Sequence, residues 1–262
     1  MKFLRVDHLQ IMKNDDIERF KKLTFNDFKM LARDSSLSIY QKIGFPDSYR
    51  AEKEEAIFND ILSKLKHFNQ TKKIILDIGI GCSGLATMMV DLSRKNDHTL
   101  VVIDSKEMLD LLPDEDFIKK IPGYFPDIPG LLEKFNSKID SILTYSVFHY
   151  VFNEGNIFHF IDSALSLLKY QGELLIGDIP NVSKRKRFFK SEVGIKYHQE
   201  FTGMNRIPRV EFAVLEPDLI DDGVIFSILH RYRNYGYDTY LLPQENSLPM
   251  ANRREDILIR KL

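Results

Sequence analysis

The feature that most restricts the fold is an abrupt change of pattern at residues 72–95. "KKIILDIGI" is a short apolar run rich in isoleucine that ends in glycine, and "LATMMVDLSRK" then follows at helical spacing. A run with no polar alternation is the mark of a strand buried on both faces. Strand, glycine turn and helix in that order open a parallel α/β unit. The pattern repeats downstream. "HTLVVID" reads as a second strand, "SKEMLDLL" as a helix start with Ser105 as N-cap, and "DFIKKIPGYF" as a third strand. "KIDSILTYSVF" is a fourth strand, "NIFHFIDSALSLLKY" a helix and "GELLIGDI" a fifth strand. "PDLIDDGVIFSILHRYRNYG" reads as a last helix closed by Gly236, ahead of the strands "YDTYLLPQ" and "DILIRKL". The turn-like stretch between those two strands suits an antiparallel pair.

Two segments stand outside this alternation. Residues 1–70 are charged and helical in pattern, with apolar positions recurring in "IERFKKLTFNDFKMLA" and "AEKEEAIFNDILSKLKHF". They are expected to form an N-terminal helical cap, with residues 71–262 as the main domain. Residues 181–217 carry Gly194, Gly203, Pro208 and Pro217 and are expected to be an irregular insertion after strand five, a lid over one face.

Composition removes several classes. Thirty-seven basic against 38 acidic residues leave a net charge of −1, so no bulk field recruits nucleic acid. Cys82 is the only cysteine, which rules out an internal disulfide and a cysteine-rich metal site. No spaced His/Asp/Glu set reads as a metal centre. The apolar runs are short of the roughly 18 residues of a membrane span, and the start has no long apolar stretch. The expectation is a soluble, cytoplasmic protein.

Gly79, Gly81 and Gly84 spell G-x-G-x-x-G, which taken alone is a dinucleotide fingerprint. In an open parallel sheet the ligand lies at the carboxyl ends of the strands, so this turn is the expected site. A dinucleotide needs its pyrophosphate on the helix N-terminus and an acid at the end of strand two. Asp104 can supply that acid. Asp77, however, stands two residues before the first glycine and would repel a pyrophosphate, whereas a cationic sulfonium bearing an α-amino group would be attracted.

Here the residues resemble a family. "LDIGIGCSG" is similar to motif I of the class I S-adenosylmethionine-dependent methyltransferases, with Ser83 where the third glycine usually stands and Gly84 one place later. "VVIDSKEML", "KIDSILTYSVFHYV" and "LKYQGELLIGD" resemble the regions around strands two, four and five, in the family's order, over roughly residues 70–180. The resemblance implies a Rossmann-like α/β fold with a seven-stranded, mostly parallel sheet and helices on both faces. It implies S-adenosylmethionine as cofactor. Asp77 would act near the methionine amino group, Gly79, Gly81 and Gly84 would form the turn, and Asp104 would hold the ribose. Ser105 and Met108 would flank the adenosine, Met108 being equally readable as core. Many relatives carry an acid after strand three for the adenine amino group; Gly123, Tyr124, Phe125 and Asp127 stand there and leave the partner open, with Tyr124 the first choice.

Tyr145, Ser146, His149 and Tyr150 follow strand four, where the methyl group would point. His149, with Tyr150 beside it, reads either as a general base for an acceptor hydroxyl or as a packed histidine. The one dense basic run, "SKRKRFFKSE", offers Arg185 and Arg187 as an anion clamp, with His198 and Arg206 in the lid and Tyr40 and Arg50 on the N-terminal side. The acceptor is therefore expected to be a small anionic molecule, an oxygen of a sugar, phosphate-bearing or nucleotide-linked metabolite. "GDIPN" and "NSLPMANRREDILIRK" also resemble methyltransferases of bacterial surface-polysaccharide pathways. The alternatives are an RNA or protein methyltransferase, a non-catalytic adenosyl-binding partner subunit, and an NAD-dependent enzyme. A homodimer is left open.

Overall fold

The computed structural model describes residue 20 and residues 22–262. Among the described residues, four helices precede the sheet: α1 (Phe25–Arg33), α2 (Ile39–Lys42), α3 (Asp47–Arg50) and α4 (Glu54–Lys64). α1 starts at Phe25 because Thr24 and Asp27 form a reciprocal capping box. The first residues of the helix expected over 17–32 lie outside the described residues.

The alternating core runs β1 (Ile74–Ile78), α5 (Gly84–Lys95), β2 (Thr99–Asp104), α6 (Lys106–Leu109), β3 (Ile118–Pro122), α7 (Leu131–Phe135) and β4 (Ile139–Tyr145). It continues through α8 (Phe148–Glu154), α9 (Ile157–Leu167), β5 (Leu168–Pro180), α10 (Val182–Lys190), α11 (Glu192–Thr202), α12 (Asp222–Asn234), β6 (Tyr237–Pro243) and β7 (Arg254–Lys261). The described strands form one seven-stranded sheet in the order β3-β2-β1-β4-β5-β7-β6. β1 to β5 are parallel, and β7 enters antiparallel to both β5 and β6. This is the expected fold.

Both faces are covered, which explains the unbroken apolar strands. Successive β1 residues point to opposite sides: Leu76 and Ile78 join the core built on α9 and α12, while Ile75 joins that built on α4 and α5. α4 thus belongs to the sheet's own core through Ile57 and Ile61, whereas Phe25, Phe28, Phe45 and Arg50 of the preceding segment reach a pocket at the strands' carboxyl ends.

Two local readings change. The chain leaves β4 at Tyr145, because Ser146 takes a left-handed φ of 61° and turns it into α8. Residues 181–202, expected to be irregular, form α10 and α11, capped by the side chains of Asn181 and Ser191. Gly194 is no breaker there. A Cβ on it would lie 1.9 Å from the Phe188 carbonyl oxygen, so glycine lets α11 start hard against the end of α10. Residues 203–220 contain neither helix nor strand.

Candidate functional site

Strand order reverses between β1 and β4, and the carboxyl ends of these neighbours open into the main pocket. It encloses about 990 Å³, with the solvent at its mouth included, which is within the range of small-ligand sites. Gly79 and Gly81 form its floor in left-handed conformations, at φ 79° and 68°. At Gly79 a Cβ would also meet Val147 Cγ2 at 2.5 Å. Gly84 is constrained differently: a Cβ there would lie 2.4 Å from Oε2 of Glu54. A buried carboxylate thus lies over the first residue of α5. That helix end is where a dinucleotide would seat its pyrophosphate.

Asp104, at the end of β2, lines the pocket and accepts hydrogen bonds from the Gly81 N–H (3.1 Å) and the Ser105 N–H (2.7 Å). Burial nevertheless pushes its pKa up to about 6. Asp77 is buried beneath the turn, and burial together with the charge of Asp104 pushes its pKa up to about 8. Among the described residues neither carboxylate has a Lys, Arg or His within ion-pair distance. Near pH 7 the raised values leave Asp77 protonated and Asp104 mostly ionised. A cation seated above them favours ionisation of both, so the pair prefers a cationic ligand to an anionic one.

The rest of the wall is largely apolar. Met108, Gly123, Tyr124 and Phe125 stand on one side. Of the open partners after β3, Asp127 instead lies 3.7 Å from His159, outside the pocket wall. Ser105 is buried, accepts the Met108 N–H and caps α6, so it shapes the wall from behind. α1 supplies a roof, with Phe25 set edge-on to Tyr124 at 5.2 Å between ring centres and Phe28 edge-on to Tyr150 at 5.1 Å.

The far end is polar. Ser146, Tyr145 and Tyr150 line it together with Arg50 of α3. Arg50 is 5 % exposed, donates to Ser146 Oγ at 2.7 Å, and has no carboxylate in ion-pair range among the described residues. Ser146 in turn donates to Asp178 at 2.5 Å, and Arg254 binds the same Asp178 oxygen at 2.8 Å. Ser146 and Asp178 both hold left-handed φ values of 61°, a strain that recurs at ligand sites. Behind Arg50, a smaller chamber is walled by Tyr49, Asp178, Met250 and Arg254, and shares Arg50, Phe45 and Tyr145 with the main pocket. The His149 ring lies against that of Tyr150, 3.9 Å between centres with the planes tilted by 41°. Burial lowers its pKa to about 3, and its buried Nδ1 has no hydrogen-bond partner. Burial raises Tyr150 to about 12, so it stays a protonated donor.

The remaining sequence candidates lie off the pocket wall. Tyr40 is on α2, and Arg206 is exposed beyond α11. Arg187 is bound to Asp222, Lys186 to Glu216, and Lys184 lies 3.9 Å from Glu255. Arg185 and His198 both face the ring of Phe189. Sequence reading assigned no role to Asp178, Arg253, Arg254, Phe25 or Phe28. Asp178 stands in the quoted "GDIPN" at the end of β5, and Arg253 and Arg254 in the quoted "NSLPMANRREDILIRK", but the resemblance of those stretches assigns no role to their charged residues.

No family model matches the chain, and no curated protein matches it by sequence. Solved structures do match in fold. Phosphoethanolamine N-methyltransferase 1 of Haemonchus contortus, in complex with phosphoethanolamine and S-adenosylhomocysteine, is 14% identical with a TM-score of 0.57, over 94% of this chain and 49% of its own. The plantazolicin methyltransferase BpumL, in complex with a monoazolic desmethylPZN analog and S-adenosylhomocysteine, is 12% identical with a TM-score of 0.54, over 95% and 99%. The CurJ carbon methyltransferase is 15% identical with a TM-score of 0.53, over 89% and 63%. At these identities the likeness is one of fold: a Rossmann-like sheet of the kind found in S-adenosylmethionine-dependent methyltransferases.

Proposed function

We propose that the protein transfers a methyl group from S-adenosylmethionine to a small anionic acceptor. One observation carries the reading. Asp77 and Asp104 are placed around the turn after β1 with raised pKa values and no protein cation to neutralise them. A ligand bearing positive charge offsets that burial cost, and a pyrophosphate adds to it. Glu54 over the start of α5 argues the same way. The cofactor supplies an electrophilic methyl on a sulfonium; what this chain supplies is alignment and the exclusion of water.

In this reading Gly79 and Gly81 let the backbone close on the cofactor's amino-acid end, Asp104 takes the ribose hydroxyls, and Met108, Tyr124 and Phe125 hold the base under the α1 roof. Tyr145, Ser146 and Tyr150 border the point of transfer. Arg50 favours an acceptor with a negative group, since a buried guanidinium without a carboxylate is costly unless a ligand supplies one. His149 is neutral at physiological pH and too weak a base at about 3 to take a proton from an alcohol. A carboxylate or phosphate oxygen arrives already deprotonated and needs no such base. The surface-polysaccharide setting has no support among the similar structures, whose names point to phosphoethanolamine, plantazolicin and a carbon acceptor.

Calorimetric titration with S-adenosylmethionine, S-adenosylhomocysteine and NADH tests the cofactor. Saturable binding of the two adenosyl ligands, lost in Asp104→Ala, is expected. Binding of NADH alone would show that the glycine motif holds a dinucleotide and would end this reading.

A further inference from the structure

Three of the five cations in the protein's basic run are neutralised from within, which makes the placement of the other two informative. Lys184, Lys186 and Arg187 each face a carboxylate, whereas Arg185 and Lys190 on the same helix face none among the described residues, and of these two only Arg185 lies against an aromatic ring shared with a second arginine. Its guanidinium lies 5.9 Å from the centre of the Phe189 ring. Arg253, in the turn before β7, lies 5.5 Å from the centre of that ring and also lacks a carboxylate among the described residues. Its Nε is buried without a hydrogen-bond partner. Burial lowers the Arg253 pKa, the neighbouring charges of Arg185 and Arg254 lower it further, and only the tyrosines Tyr197 and Tyr49 oppose this. The turn is pinned at this cationic corner by the Asn181 N–H, which donates to the Arg253 carbonyl at 3.0 Å. Tyr49 also lines the small chamber behind Arg50, so the corner lies beside the acceptor end of the main pocket.

Resting on the methyltransferase reading, we propose that Arg253 and Arg185, with the hydroxyls of Tyr49 and Tyr197, bind a phosphate group on the distal end of the acceptor, while Arg50 meets its reacting end. Guanidinium forks match phosphate oxygens in bidentate fashion. An anion here relieves the repulsion between two cations that share one aromatic wall, and it gives the orphaned Nε an acceptor. Binding energy gathered away from the reacting atom then serves to orient the acceptor. The partner is a small phosphorylated molecule rather than a nucleic acid, because the corner is two arginines on one aromatic ring, in a chain with no excess of positive charge.

The probe is inorganic pyrophosphate, titrated calorimetrically into protein saturated with S-adenosylhomocysteine. Saturable binding is expected, weakened about tenfold by Arg253→Gln and likewise by Arg185→Gln. The second variant sits on an exposed side chain and does not threaten the fold. Affinity for S-adenosylhomocysteine should be the same in both. Lys190→Gln, also exposed on α10, should change neither affinity and controls for general charge. Absence of pyrophosphate binding, indifference to both arginine variants, or an equal loss in Lys190→Gln would overturn the proposal. So would steeply salt-dependent, Arg185-dependent binding of a short RNA with none of pyrophosphate. Failure of S-adenosylhomocysteine to bind, while pyrophosphate binds with the stated dependence, would remove the methyltransferase reading and leave the arginine site standing.

Discussion

Asp77 makes the protein's stability depend on pH in an unusual direction for an acid. Its folded pKa of about 8 lies far above the ordinary 3.8, so between those values the folded chain keeps a proton that the unfolded chain has lost. Stability from this group is therefore full below pH 3.8 and is lost as pH rises through about 8. Asp104 has the same sign, up to about 6. His149 opposes them: lowered from 6.5 to about 3, it costs stability as pH falls through that interval. Of these three groups, only Asp77 acts between pH 6.5 and 8. There the ligand-free protein should lose about 1 kcal/mol of stability per pH unit, and Asp77→Asn should flatten the slope; thermal unfolding across that range checks this. A cationic ligand lowers the Asp77 pKa, so binding of S-adenosylmethionine near pH 7 should release protons. Titrations in buffers of different ionisation enthalpy read that release. Proton uptake, or a release unchanged in Asp77→Asn, would refute the assignment.

At the scale of elements, the pocket roof is built from α1 and α3, short helices held to the main domain by a few aromatic contacts, Arg50 and an Arg33–Glu107 ion pair between α1 and α6. Edge-on aromatic pairs such as Phe25–Tyr124 and Phe28–Tyr150 are worth roughly 0.5–1.5 kcal/mol each beyond the area they bury. A roof held so lightly opens far more often than β1 or β4. Amide hydrogen exchange in residues 25–50 should thus be fast in the free protein and slow by an order of magnitude or more with S-adenosylhomocysteine bound, while β4 stays unchanged. Equal exchange in the two states would mean that the roof takes no part in binding. How legible each element was depended on how local its cause is. The strands, the glycine turn and the Ser105 cap are written in contiguous residues, so Asp77 and Asp104 could be found by reading along the chain. The α10–α11 junction was misread because Gly194 answers to the Phe188 carbonyl rather than to a turn. The acceptor end was only half visible. Arg254 meets Asp178 from 76 residues away, and Arg50 meets Ser146 from 96, distances over which no motif reports.

Across the whole molecule, one chain of buried polar groups joins the N-terminal helices to the last strand and the site. Lys64 of α4 binds Asp60 at 2.5 Å and Asp256 of β7 at 2.8 Å. Asp256 accepts the Asp178 N–H at 2.8 Å, and Asp178 leads through Ser146 to Arg50. Lys64→Met leaves two buried acids without their cation and should cost about 3–5 kcal/mol. Adding Asp256→Asn should recover part of that loss. Denaturant unfolding checks both, and a cost below about 1 kcal/mol would show that the ammonium is not what balances these acids. The roof has a further consequence. Phe25 and Phe28 line one part of the main pocket, and Arg50, two helices further along the same N-terminal segment, lines its polar end. Both compartments share one door. Under the proposed function a cofactor beneath that segment would seat while it is lifted, and Arg50 would reach its post as it settles. Under the proposed function the two substrates should therefore bind in compulsory order, cofactor first, with the demethylated cofactor the last to leave, and product-inhibition kinetics would read that order.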